Sequence, residues 1–214
     1  MQPADISAVF ITHEHGDHVG CASAFAKRFK IPVWMSCGTQ MATGLFEWGG
    51  LLNIARDGQG IDLADLQLMP FTVPHDAREP LQLTCSDGTS KLGILTDLGH
   101  ATPHVTAQLA RCHALLIECN HDPDMLAQST YPTFLKHRVG GQHGHLSNQA
   151  AANVVKSVWH AGLHTVVAAH LSTQNNRPDL ARLALADALM CASDTIRVAD
   201  PRDGSPWLAV SQPN

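Results

Sequence analysis

Aromatic residues are scarce in this chain, at 5% of 214 positions, and Tyr131 is its single tyrosine. Long apolar runs are absent as well; the hydrophobic stretches are short and interrupted, so no membrane span is expected. Met1-Gln2-Pro3-Ala4-Asp5 contains no basic segment leading into an apolar one, and a secretory signal is likewise not expected. Basic charge is limited, with 14 Lys and Arg against 19 Asp and Glu, which excludes a protein that coats duplex nucleic acid through a general basic surface. A local basic rim stays open, with Lys136, Arg138 and Arg177 as its candidates. Six cysteines, Cys21, Cys37, Cys85, Cys112, Cys119 and Cys191, stand apart with no Cys-x-x-Cys pair. They read as buried thiols in a reducing cytosol rather than a disulfide frame, so a cytoplasmic location is expected.

Against these absences, 44% of the residues are hydrophobic, enough for one substantial core, and neither a repeat nor a linker breaks the chain. A single domain over 1–214 is expected. Apolar alternation and β-branched runs predict strands over 8–12, 32–36, 66–73, 81–85, 91–96, 114–119, 165–169 and 195–198. Helical periodicity predicts helices over 21–29, 102–111, 148–161 and 178–192. Ser147 or Asn148 serves as a cap for the third, and Pro178 sits in the first turn of the fourth. Ser86-Asp87-Gly88 reads as a hairpin turn. This mixture is α/β in class, and periodicity alone leaves several layered folds open. Trp34, Trp48, Trp159 and Trp207 read as core or sheet-packing residues, although Trp48 also offers a surface for stacking a base.

Histidine is the residue in excess, 14 copies against that one tyrosine, and imidazole is the commonest protein ligand for metals. Three of the copies crowd into His13-Glu14-His15-Gly16-Asp17-His18, directly after the apolar run Ala8-Val9-Phe10-Ile11. A strand ending in that loop offers more ligands than one divalent ion needs, so two ions are the natural reading. Nitrogen and carboxylate donors suit zinc or another borderline metal, and a site without thiolate keeps enough positive charge to activate water. Other polar residues also close apolar strands: His75 after Val73-Pro74, Asp97 after Leu95-Thr96, and His170 after Ala168-Ala169. Each alone reads equally well as a strand-end group bonded to backbone. Together with the first cluster they make seven ligands, a number that fits two ions sharing one carboxylate.

These motifs resemble the metallo-β-lactamase superfamily of dinuclear hydrolases. Val73-Pro74-His75-Asp76-Ala77, Thr96-Asp97-Leu98-Gly99, Glu118-Cys119-Asn120-His121-Asp122, Tyr131-Pro132-Thr133-Phe134-Leu135-Lys136, Gly144-His145-Leu146-Ser147-Asn148 and His170-Leu171-Ser172-Thr173-Gln174-Asn175-Asn176 resemble its YycJ/WalJ-type exonuclease branch. The resemblance implies a four-layered αββα sandwich and 5′ to 3′ exonuclease activity on DNA. It implies that His13, His15 and His75 hold one metal, Asp17, His18 and His170 the other, and that Asp97 bridges. Zinc and manganese both suit such a ligand set. Family members begin with an extra Gly/Ser-rich strand hairpin and helix. The first strands of the sandwich are therefore expected to be missing here, through a misplaced start or a truncation.

The chemistry expected is hydrolysis by a hydroxide held between two ions, with Asp17 and Asp97 orienting the water. His145, after a glycine and just before a predicted helix, is the candidate for protonating the leaving group. Glu118 is read as orienting a ligand imidazole. Glu118 and His145 also resemble, more loosely, the acidic and histidine motifs of the β-CASP nucleases. Ser147, Asn175 and Asn176 are candidates for bonding phosphate oxygens, with caps and turns as the alternative. His100, His104, His121 and His143 are read as exposed or lying behind the ligands. The substrate class stays open between a phosphodiester and a thioester or small ester, and a non-catalytic metal-binding module is the third reading.

Overall fold

In a computed structural model, residues 2–44, 47–200 and 202–210 are described, and the chain divides into two compact units, 1–72 with 76–83 and 73–75 with 84–214.

The first unit contains a parallel sheet of three short strands, β1 (Val9–Phe10), β2 (Val33–Met35) and β3 (Leu52–Ile54), in the order β1-β2-β3. Val33 pairs with Val9 on one side and Leu52 on the other. Parallel neighbours need a crossover, which α1 (Gly16–Val19) and α2 (Ala22–Phe29) provide between β1 and β2, and α3 (Cys37–Thr43) provides after β2. Ser36 caps α3 by accepting from the Thr39 N–H. Ile11, Val19, Ala26, Val33, Met35 and Trp48 form the core of this unit. Trp48 is only 6% exposed, so its indole packs the interior and stacking on a base is ruled out. An antiparallel pair, β4 (Ile61–Leu63) and β5 (Leu66–Thr72), follows, and β5 lies beside β6 (Leu81–Ser86).

In the second unit β6 continues into a sheet ordered β10-β9-β8-β7-β6, with β7 (Lys91–Leu95), β8 (Ala114–Glu118), β9 (Thr165–Ala169) and β10 (Arg197–Val198). The expected turn joins β6 to β7: the Asp87 carboxylate accepts from the Thr89 and Ser90 N–H groups and Gly88 takes φ +89°. From β7 to β10 all pairs are parallel, with Leu95 beside Ile117 and Ile117 beside Ala168. Parallel strands are covered on both faces, which explains the nearly unbroken apolar runs of β8 and β9. Between them run α4 (Pro103–Leu109), α5 (Pro123–Gln128), α6 (Thr133–Val139), α7 (Asn148–Val158) and α8 (Pro178–Leu189), of which α7 and α8 pack together.

Short elements escaped the sequence: β3, β4, α1, α3, α5 and α6 were not expected. Helices of six or seven residues such as α5 and α6 complete fewer than two turns, so apolar periodicity has nothing to repeat over. Two tryptophans expected in packing positions are exposed, Trp159 at 56% and Trp207 at 90%. Three cysteines expected to be buried, Cys21, Cys37 and Cys191, are exposed free thiols. Among the described residues, no helix is long and apolar enough to cross a membrane.

Candidate metal centre

The histidine motif of the first unit lies where β1 gives way to α1. His13 is fully buried, His15 is the N-cap residue of α1, and Asp17 and His18 occupy the first helical turn. A tight turn of helix after a strand draws residues two to five apart in sequence into one cluster. His13 Nε2 and His15 Nδ1 face each other at 3.0 Å, and the His13 and His18 ring centres are 4.1 Å apart. Thr12 Oγ1 lies 3.0 Å from His13 Nδ1 and 3.2 Å from His18 Nδ1, setting both rings from behind. His15 Nε2 lies 3.7 Å from Asp76 Oδ1, and His18 Nε2 lies 3.7 Å from Asp17 Oδ2. Glu14 turns away from this cluster and accepts the Arg78 N–H at 2.7 Å.

In the second unit the parallel sheet decides the geometry. Asp97, Glu118 and His170 stand at the C-terminal ends of the neighbouring strands β7, β8 and β9, where a parallel sheet collects functional groups. Asp97 and His170 both hold left-handed backbone, at φ +54° and +56°. For residues other than glycine this conformation is sparsely populated, and it persists where the surroundings over-determine it. Donor atoms of Asp97, Glu118, His145 and His170 all lie within 4.8 Å of one another.

Glu118 is the hub of that group. Its Oε1 accepts from Nδ1 of His145 at 2.8 Å and Nδ1 of His170 at 2.7 Å, while Oε2 accepts from the Leu146 and Leu98 N–H groups. Burial pushes the Glu118 carboxyl up, but the two imidazole bonds and charges outweigh it and leave the group below the usual carboxylate range. Burial likewise pulls the His145 imidazolium down, and the Glu118 bond with the charges of Glu118 and Asp97 reverses this and leaves it raised. With Nδ1 turned to Glu118, each ring presents Nε2; that of His170 lies 3.5 Å from Asp97 Oδ1. His75 follows the same rule, its Nδ1 donating to the Gly144 carbonyl at 3.1 Å. Imidazoles whose second nitrogen is tied to a carboxylate or carbonyl are oriented as metal ligands commonly are. Buried oxygen and buried or half-buried nitrogen donors without thiolate fit a divalent ion of the zinc or manganese kind.

Residues 1–171 match the beta-lactamase superfamily domain. The chain belongs to that superfamily. It is 30% identical over 192 residues to a protein of Bacillus anthracis named exodeoxyribonuclease YycJ, spanning 86% of this chain and 71% of the relative. It is 26% identical over 193 residues to exodeoxyribonuclease WalJ of Streptococcus pneumoniae, spanning 88% and 72%. Among solved structures, the metallo-beta-lactamase fold protein YhfI of Bacillus subtilis superposes with a TM-score of 0.73 at 15% identity, over 96% of this chain and 78% of that one. The mixed α/β architecture is thus a metallo-β-lactamase fold, and the chain is a hydrolase of the superfamily with a candidate metal-binding His/Asp set.

Within this metallo-β-lactamase chain, the remaining candidates separate by their bonds. Ser147 Oγ accepts the Ala150 N–H and caps α7, so its hydroxyl keeps a proton to donate. Asn176 corrects the sequence reading: both hydrogens of its amide are spent, on Cys119 O and Asn148 Oδ1, and Asn148 Nδ2 donates back to Asn176 Oδ1. It clamps the loop after β9 to α7 and has no donor left for a phosphate. Asn175 is 1% exposed, and neither end of its carboxamide has a hydrogen-bond partner among the described residues. His121, expected to be exposed or behind the ligands, is 4% exposed, and its carbonyl accepts the Asn148 N–H. Thr12, Asp76 and Gly99 were given no role of their own in the sequence, although Asp76 and Gly99 stand inside the quoted motifs. Adjacency to His13, His75 and Asp97 was their only signal, and adjacency alone does not show direction.

Proposed function

We propose that the chain, acting as one domain over 1–214, is a dinuclear metal-dependent phosphodiesterase that removes nucleotides from the 5′ end of DNA. The observation carrying this reading is the Asp97–Glu118–His145–His170 group, in which a buried carboxylate holds two imidazoles by Nδ1 and all four residues bring a donor atom within 4.8 Å of the others. The names of the relatives supply the phosphodiester and DNA part. In this reading His13, His15 and His75 hold one ion, Asp17, His18 and His170 the other, and Asp97 is shared. When bound, two divalent ions lower the pKa of water toward neutrality and offset charge on the phosphoryl group. Asp17 and Asp97 orient the attacking water.

His145 delivers the proton to the leaving oxygen. Its Nδ1 is held by Glu118, so Nε2 is the atom that donates. Ser147, at the N-terminus of α7, donates its hydroxyl to a phosphate oxygen, and the positive end of the helix dipole favours that anion. Zinc or manganese serves equally in this ligand set.

The test is hydrolysis of end-labelled single-stranded and duplex DNA beside a thioester and ester panel, with metal content measured on the same sample. Nucleotides released stepwise from the 5′ end, abolished in His15→Ala and Asp97→Ala, support the reading. Turnover of thioesters or esters alone moves the chain to another branch. Retained metal with no turnover makes it a binding module.

A further inference from the structure

We propose that the cavity beside His145 and His170 is a nucleobase pocket, which takes the terminal base of the substrate out of its stack while the adjoining phosphodiester is cut. The proposal rests on the phosphodiesterase reading above and names what that site recognises.

The cavity encloses about 330 Å³, within the range of small-molecule pockets, and its wall includes His145, His170, Tyr131, Val139, Ser172 and Asn175. Asn175 carries the argument. Its backbone is fixed, the N–H donating to Ser172 Oγ at 3.1 Å and the carbonyl accepting the Asp122 N–H at 2.8 Å. Its carboxamide is buried, yet among the described residues neither the oxygen nor the nitrogen has a hydrogen-bond partner. A buried amide left so is costly, and its persistence calls for an explanation outside the folded chain alone. Turned toward the cavity it borders, the amide would offer a donor and an acceptor side by side, the pairing that every base presents along its hydrogen-bonding edge. A phosphate oxygen only accepts, so it would leave the Asn175 carbonyl unmatched. Among the described residues no lysine or arginine lines the cavity, which also disfavours an anion there.

Tyr131 supplies the second element. It is half-buried between α5 and α6 and puts the one phenol ring of the chain on the cavity wall, a flat apolar face for stacking. Because His145 and His170 form another part of the wall, a base seated here brings its own phosphate to the donor group. Unstacking is least costly at a strand end, where the proposed reaction occurs.

The experiment compares wild-type enzyme on oligodeoxynucleotides ending in an ordinary nucleotide or in an abasic tetrahydrofuran unit, with bis(p-nitrophenyl) phosphate as a base-free control. In parallel, the metal-loaded protein is titrated into an oligomer carrying a terminal 2-aminopurine and an uncleavable methylphosphonate linkage. The abasic end should be cut about tenfold more slowly, and the bound 2-aminopurine, although freed from its neighbour in the strand, should be quenched by the Tyr131 ring relative to an unstacked 2-aminopurine nucleoside. In Tyr131→Ala and Asn175→Ala the ratio of ordinary to abasic rates should fall toward one and the quenching should weaken, while Tyr131→Phe should keep both. Equal rates on the two ends with an unquenched probe overturn the pocket, even with phosphodiester hydrolysis intact. Failure to cut any phosphodiester defeats the functional reading instead, and the quenching then decides the pocket by itself.

Discussion

Glu118 illustrates how much one side chain decides. It is fully buried and accepts four hydrogen bonds, so its charge is held by neighbours rather than by water. Its lowered folded pKa means that its contribution to stability is present above the ordinary carboxylate value and fades as pH falls through the folded one. His145 runs the other way: raised in the fold, it contributes below the ordinary imidazole value and loses that contribution as pH rises through the folded value. The metal-free protein should therefore be most stable between these limits, and Glu118→Gln should flatten the acid side of a melting-temperature profile. The same variant should weaken metal binding by roughly 10 to 100-fold, read by competition with a chromophoric chelator, because an amide accepts at one end only and sets its NH2 against either the two imidazoles or the Leu146 and Leu98 N–H groups. The cysteines divide as sharply. Burial pushes the Cys112 thiol up to about 11 and that of Cys119 higher still. Alkylation with iodoacetamide at pH 8 should modify the exposed Cys21, Cys37 and Cys191 and spare Cys112 and Cys119 until denaturant is added.

Among the elements, the loop from α6 to α7 is held by close backbone contacts. A side chain on Gly144 would run into the carbonyls of Arg138 and Val139, and one on Gly99 into the backbone of Gln142. These are backbone neighbours, which cannot swing aside as a flexible side chain does. The close approach places the Gly144 carbonyl on His75 and leads the chain into His145. Gly144→Ala should cost about 1–3 kcal/mol in urea unfolding and reduce hydrolysis more than an equally destabilising change elsewhere, since it moves two imidazoles at once. Ser147→Ala should cost about 1 kcal/mol, the ordinary worth of an N-cap. Asp97 and His170 show an element-scale effect without glycine: left-handed residues at strand ends swing their side chains out of the sheet's alternation. Asparagine tolerates that backbone nearly as well as aspartate. Asp97→Asn should therefore keep the melting temperature of the metal-free protein within a few degrees while lowering metal affinity.

For the molecule as a whole, metal should act as a folding ligand. Anything that binds the folded chain and not the unfolded one raises the midpoint in proportion to the logarithm of its excess over Kd. Dialysis against a chelator should abolish hydrolysis and lower the melting temperature, and adding back zinc or manganese should restore both. If the ions are structural only, stability will return without activity. The excess of acidic over basic residues points the same way, since the chain offers DNA little long-range attraction of its own and must rely on local groups and bound cations.

The sequence alone determined the chemistry: three imidazoles and a carboxylate crowded after one strand, with His75, Asp97 and His170 closing others, carry their donor types wherever the backbone takes them. It also set the longer strands and helices, whose periodicity repeats often enough to be read. Only the tertiary structure decided which way these groups face. Glu118 acquired His170 because β8 and β9 run parallel side by side and His145 because the loop before α7 folds back onto the end of β8, and Asn176 lost its donors to Asn148 and Cys119 across 28 and 57 residues of chain. Burial, tautomer and bond partner are properties of neighbours distant in sequence, and a local pattern carries no record of them.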